Sequence, residues 1–224
     1  MADEVTAARP GPGPSLLAEM QDYLGALKTV RFARRVFFIL VFLSLLLQVA
    51  LYLTIRFWDV QVLEQLLRDM GAAEPAAETG ALTLWRFALE FGLPLAHFVG
   101  ACATFLLAIA ALLAVNVSLS GRLGGAQANI SSFFWVVLLL AMLVPWQQIV
   151  PVTHVPSVFY SLGDLQHVAV FQPEIWLDSV LHYVRYVAYP LLGALVLLAS
   201  VLGARRGYCQ AADRMKRALG APGN

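Results

Sequence analysis

LPLAHFVGACATFLLAIAALLAVN, Leu93 to Asn116, and SSFFWVVLLLAMLVPWQQIV, Ser131 to Val150, decide the fold. Only VSLSGRLGGAQANI separates them, a Gly-rich turn whose single charge is Arg122. An apolar run of about 20 residues crosses the roughly 30 Å hydrocarbon core of a bilayer as a helix. The pair therefore predicts a transmembrane hairpin: the chain crosses, turns tightly and crosses back.

Two more runs flank the hairpin. VFFILVFLSLLLQVALYLTI (36–55) follows Arg31, Arg34 and Arg35, and VAYPLLGALVLLASVLGA (187–204) runs into Arg205 and Arg206. A basic flank before an apolar run also fits a signal peptide. The 36–55 run is too long for that, and no small-x-small cleavage site follows it. The expected fold is all-α, a bundle of four transmembrane helices spanning 36–55, 93–116, 131–150 and 187–204.

Composition agrees. Of 224 residues, 60% are hydrophobic and 13% charged, against about 25% charged in soluble domains. So much apolar surface needs lipid to face. The lipid bilayer is thus the first expected partner. A net charge of +1 offers no broad basic field, so nucleic acid is not an expected partner. The bias toward Arg, Ala and Leu is compatible with a GC-rich bacterial genome, and so with a bacterial inner membrane.

Outside the spans, residues 1–14 (MADEVTAARPGPGP) are Pro/Gly-rich and read as a disordered tail; Asp3 and Glu4 are wrong for a secretory n-region. Within 15–35, Ser15 can cap a helix. Leu16, Leu17, Met20, Leu24 and Leu27 then recur at helical spacing. This predicts an amphipathic helix lying on the membrane, on a partner, or on this protein's own cytoplasmic face. In the first long connection, Leu63, Leu66, Leu67 and Met70 repeat the helical pattern before GAAEPAAETG breaks it. In the second, PEIWLDSVLHYVRY (173–186) is amphipathic. Both predict short interfacial helices. Residues 205–224 form a basic tail.

Orientation follows from Lys and Arg. Arg9, Lys28, Arg31, Arg34, Arg35, Arg122, Arg205, Arg206, Arg214, Lys216 and Arg217 fall on one side, and Arg56, Arg68, Arg86 and Arg185 on the other. Eleven against four places both termini in the cytoplasm. Trp58, Trp85, Trp146 and Trp176 fall at the outer interface and Trp135 at the inner one, where indole prefers to sit. The topology also disposes of two glycosylation matches. Asn116-Val117-Ser118 and Asn129-Ile130-Ser131 both lie at the cytoplasmic turn.

Span interiors carry no Asp, Glu, Lys or Arg, which argues against a pump or proton-coupled transporter. Ser44, Gln48, His97, Cys102, Thr104 and Ser200 are the mild polar content, expected to tie helices together. Ala96, Gly100, Thr104 and Ala108 recur every four residues, and Gly193, Ser200 and Gly203 lie along one side of the last span. Such small stripes mark close helix crossings. Pro145 and Pro190 are expected to kink their helices.

The four histidines, His97, His154, His167 and His182, all fall on the outer half. Two cofactor chemistries are conceivable there. Glu174, Asp178 and His182 are spaced i, i+4, i+8 on one helix face, a donor set for a divalent metal such as zinc. His97 and His182 on facing helices would alternatively ligate a b-type haem. Against both stands a structural role, with Glu174 and Asp178 on a solvated face beside Arg185 and His97 bonded to a neighbouring helix; no cofactor is the expectation. Cys102 and Cys209 lie at different depths, and no C-x-x-C, G-x-S-x-G, H-E-x-x-H or Walker pattern occurs. By elimination, the expected role is a non-enzymatic accessory or scaffold subunit of a membrane assembly, with a protein partner or a second copy in the membrane. A small membrane redox or metal protein is the alternative, and a channel or transporter built by oligomerisation a third.

Overall fold

The computed structural model describes residues 14–57, 87–122, 124–144, 157–160 and 176–218. Among them all regular structure is helical. Helix α1 covers Pro14–Phe57, α2 Leu93–Ser120, α3 Ala126–Leu143, α4 Trp176–Tyr183 and α5 Tyr189–Ala218. Four stretches, Gln21–Thr54, Leu89–Ser120, Ala126–Leu143 and Trp176–Arg217, are long and apolar enough to cross a membrane.

The long helices form a closed ring in which α1 packs on α2, α2 on α3, α3 on α5 and α5 back on α1. Val41 and Leu45 of α1, Leu107 of α2, Val136 and Leu139 of α3 and Leu197 of α5 meet at the centre, all buried. The small-residue stripe of α2 faces α1 as its spacing predicts. A Cβ built on Gly100 would lie 2.9 Å from Ser44 Cβ, so the two backbones nearly touch. Thr104, buried beside it, returns its hydroxyl to Gly100 O at 2.8 Å. On α5 the stripe is uneven. Gly203 lies tight against α3, its built Cβ 3.2 Å from Ser132 Cβ, whereas Gly193 meets nothing nearer than Leu139 at 3.7 Å.

Helix α1 differs from its expected division into a surface helix and a span. It is one helix of 44 residues, about 66 Å long at 1.5 Å per residue. No proline interrupts it after Pro14, and the apolar stripe of the amphipathic part runs on into the apolar run. Its extension packs on the protein itself: Leu27 is buried against Ala114 and Ala211, with Tyr23 and Tyr208 alongside. The side chains of Leu16, Leu17 and Met20 lie outside those described, as does the 63–70 segment. Helix α5 likewise continues past 204 to Ala218.

Prolines explain the other boundaries. Helix α3 starts at Ala126, ahead of the expected 131, and ends at Leu143; residues 145–150 of the expected 131–150 span lie outside the described residues. Val144 is extended (φ −65°, ψ 130°), as a residue before proline prefers to be. The freed carbonyls at the end of α3 find partners in 157–160: Val158 N–H donates to Met142 O and Ser157 Oγ to Leu143 O, both at 3.2 Å. This answers the unsatisfied acceptors that every helix C-terminus leaves. It also draws Val158 and Tyr160 into the bundle, where both are buried. Widened π turns, Ala88–Gly92 and Val184–Ala188, precede α2 and α5. Pro94 and Pro190 each lack an N–H and collide with the carbonyl four residues back; an extra residue in the preceding turn relieves that.

At the hairpin, Gly121 N–H donates to Val117 O at 3.0 Å. Gly125 then takes φ +88°, and a Cβ there would lie 2.3 Å from Gly207 O. Only glycine allows both that φ and that approach of α5.

Candidate functional site

Polar side chains concentrate at two ends of the ring, with the apolar centre between them. At the histidine end, Gln48 of α1 is fully buried beside His97 of α2. Gln48 Nε2 donates to His97 Nε2, which leaves the ring proton on Nδ1. Gln48 Oε1 accepts from Tyr160 N–H at 3.4 Å, and the Tyr160 hydroxyl donates to Tyr186 O. Pro190, four residues on, has no N–H to compete for that acceptor. The π turn and its proline thus create the socket that holds Tyr160.

Rings fill the rest of this end. Phe159 stacks on His97 with centroids 4.8 Å apart, Tyr52 stacks on Tyr186 at 5.4 Å, and His182 lies 4.6 Å from the Tyr186 ring. His97 and His182 therefore sit at the two ends of a chain of contacts through Gln48, Tyr160 and Tyr186. The His97 nitrogen that bonds Gln48 has its lone pair engaged. Asp178 and His182 are one turn apart on α4. Glu174, His154 and His167 lie outside the described residues, among which no group of three His, Cys, Asp or Glu side chains gathers. Of the tryptophans, Trp176 opens α4 at this end and is exposed, as is Trp135 on α3; Trp58, Trp85 and Trp146 lie outside the described residues.

At the arginine end, Arg34 is 7% exposed. From the sequence it reads as one of three basic residues flanking the first span. In the fold its Nη2 donates to Ser132 Oγ of α3. Ser132 Oγ in turn donates to Ser200 O of α5 at 2.6 Å, and Ser200 Oγ returns to Ser132 O at 3.2 Å. One guanidinium and two hydroxyls thus join three helices. Close by, buried Asn129 donates through Nδ2 to Ser118 Oγ at 2.7 Å, so its side chain belongs to the interior and not to a glycan.

Arg34 also lines a cavity of about 380 Å³ between α1 and α5. Arg31, Arg35 and Arg205 share its wall, and Phe38, Leu107 and Val201 supply apolar surface. Arg31 is held over the Tyr208 ring, its Cζ 4.3 Å from the centroid, a cation–π contact that fixes a long side chain in place. The only sequence signal for this site was the Arg-x-x-Arg-Arg spacing on α1. That spacing puts Arg31, Arg34 and Arg35 on one side of a helix.

No family model, curated protein or solved structure matches the chain.

Proposed function

We propose that the chain is a multi-pass membrane protein, with the arginine end and both termini in the cytoplasm, that serves as a non-enzymatic accessory or scaffold subunit. The observation that carries this reading is where the interior polar groups go. Gln48 and His97, Asn129 and Ser118, and Arg34, Ser132 and Ser200 bond one another across the bundle. Such bonds fix helix register. What remains for a partner is the outside.

The outer face of α2 is the best candidate for it. Phe98 and Phe105 there, with Phe91 in the π turn before them, recur every seven residues and are 67%, 57% and 58% exposed. A seven-residue repeat is the seam along which a second helix packs at a shallow angle. Excess Lys and Arg at the arginine end supports its cytoplasmic placement.

The test starts from native membranes solubilised in a mild detergent. The full-length protein is expected to run as part of a larger assembly, with a second copy or a stoichiometric partner. Phe98→Ala with Phe105→Ala releases it, while Leu195→Ala with Leu202→Ala on α5 does not. A monomer in detergent and in nanodiscs alike refutes the reading. A stoichiometric haem Soret band, or bound zinc lost in Asp178→Ala and His182→Ala, would replace it with the redox or metal alternative.

A further inference from the structure

We propose that the cavity between α1 and α5 holds the phosphate headgroup of an anionic membrane phospholipid, with an acyl chain lying against Phe38 and Val201. The inference rests on the membrane placement proposed above but not on the accessory role.

Charge comes first. Arg31, Arg34, Arg35 and Arg205 converge on one space. Among the described residues no carboxylate pairs with any of them. Arg34 is the sharpest case. A guanidinium carries five N–H donors, and this one, buried, gives one bond to a hydroxyl. A hydroxyl satisfies a donor but does not neutralise a charge. Buried charges are stable when paired with an opposite one. The planar guanidinium fork matches phosphate oxygens in pairs.

The walls then separate a lipid from a free anion. Inorganic phosphate would use the arginines and leave Phe38 and Val201 facing water. A phospholipid uses both. About 380 Å³ falls within the roughly 300–1,000 Å³ of ordinary ligand sites. The cavity lies at the arginine end, where α1 and α5 leave the apolar centre. A headgroup is found at that level, and basic pockets between membrane helices on the cytoplasmic side suit anionic ones.

The experiment uses the full-length protein in a nonionic detergent. It is titrated with phosphatidylglycerol, with phosphatidylcholine of the same acyl chains, and with inorganic phosphate, and adducts are counted by native mass spectrometry. Phosphatidylglycerol is expected to bind at least about tenfold more tightly than phosphatidylcholine, the factor that corresponds to one charge-assisted contact of ~1.4 kcal/mol. Arg34→Gln is expected to abolish that preference. Because Arg34 also ties three helices, Arg31→Gln with Arg205→Gln is measured beside it. That pair leaves the Ser132 bond intact and should weaken binding about tenfold or more, while Arg214→Gln, outside the cavity, should not. Equal binding of the two lipids, or unchanged phosphatidylglycerol binding in the double variant, overturns the proposal. Displacement of the lipid by millimolar phosphate, with a phosphate adduct in its place, assigns the site to a soluble anion and overturns it too. Resistance of the protein to alkaline carbonate extraction is scored separately. Its loss removes the membrane placement, whereas retention without lipid selectivity removes only the lipid site.

Discussion

Gly100→Ala is the smallest change that tests the bundle. The added Cβ would stand 2.4 Å from Ser44 Oγ, 2.9 Å from Ser44 Cβ and 2.9 Å from Phe159 Cζ. Ordinary contact begins at 3.4 Å, so α1 must retreat from α2 by on the order of 0.5–1 Å. Rotating Ser44 Oγ away is insufficient, because Ser44 Cβ is itself too close. Overpacking of this kind costs about 1–3 kcal/mol. Losing the 3.0 Å bond from Ser44 Oγ to Ala96 O adds roughly 0.6 kcal/mol. Replacing a helical glycine by alanine returns up to about 1 kcal/mol. The net loss is therefore roughly 0.5–3.5 kcal/mol, or a melting temperature lower by the ~2–4 °C per kcal/mol of chains this size. Gly193→Ala is the internal control. Its Cβ meets only ordinary contact at 3.7 Å, so the propensity gain stands alone and stability should hold or rise by up to ~1 kcal/mol. Thermal melts of both variants in one detergent give the comparison. A double-mutant cycle with Ser44→Gly, which removes the obstructing atoms, should show coupling of about 0.5 kcal/mol or more. Equal melting of the two glycine variants, or strict additivity with Ser44→Gly, would refute the close crossing of α1 and α2.

Gly125→Ala is expected to destabilise by roughly 2–4 kcal/mol, from its left-handed φ and the Gly207 carbonyl together; a near-native melt would show that α5 does not press on the turn. Tyr160→Phe should cost about 1 kcal/mol, because the bond from its hydroxyl to the Tyr186 carbonyl is lost. Cys209, exposed at the arginine end, reports orientation without an engineered site. In a Cys102→Ala background an impermeant thiol reagent should label it in inverted vesicles and not in intact cells, and the opposite pattern reverses the topology.

The helical class and the four apolar runs were legible because bilayer thickness fixes how many apolar residues a span needs, and because a four-residue repeat of small side chains marks one helix face. Gly100 and Thr104 sit where that repeat says. The same reasoning overrated Gly193: a small residue permits a close approach without requiring one. Helix ends were read less well, since apolar runs mark what lipid can cover and not where hydrogen bonding stops. Leu16 to Phe57 contains no proline, and that fact carried the continuity of α1. Residues 157–160 have no periodicity at all. Val158 and Tyr160 are buried because the end of α3 needs donors and the π turn before Pro190 offers an acceptor, two demands set by other parts of the chain. Arg34 was hidden for the same reason. Its position in sequence is a flank, and its burial depends on Ser132 and Ser200, 98 and 68 residues distant along successive links of one network.

That network and the one around Gln48 and His97 bracket a centre that is mostly apolar, with Ser44 and Thr104 bonded to backbone carbonyls of α2. Between apolar helices in lipid, neither burial nor charge distinguishes one register from the next, because a leucine is as well placed against an acyl chain as against a neighbour. Directional bonds near the two ends and tight glycines at the crossings supply what the centre cannot. Sliding α1 by one turn would carry Arg34 away from Ser132 and Gln48 away from His97 together, so each network supports the other. The two are not equivalent, however. At the histidine end the hydrogen bonds run between amide, imidazole, hydroxyl and carbonyl groups, Arg185 lies over the Tyr186 ring, and Phe159 and Tyr160 occupy the space between the helices. The arginine end retains a buried charge next to an open cavity. An anion bound there would pair with Arg34 and would also brace α1 against α5. Occupancy of that cavity should therefore raise the stability of the whole ring, and Arg34 is the residue through which the gain would be felt.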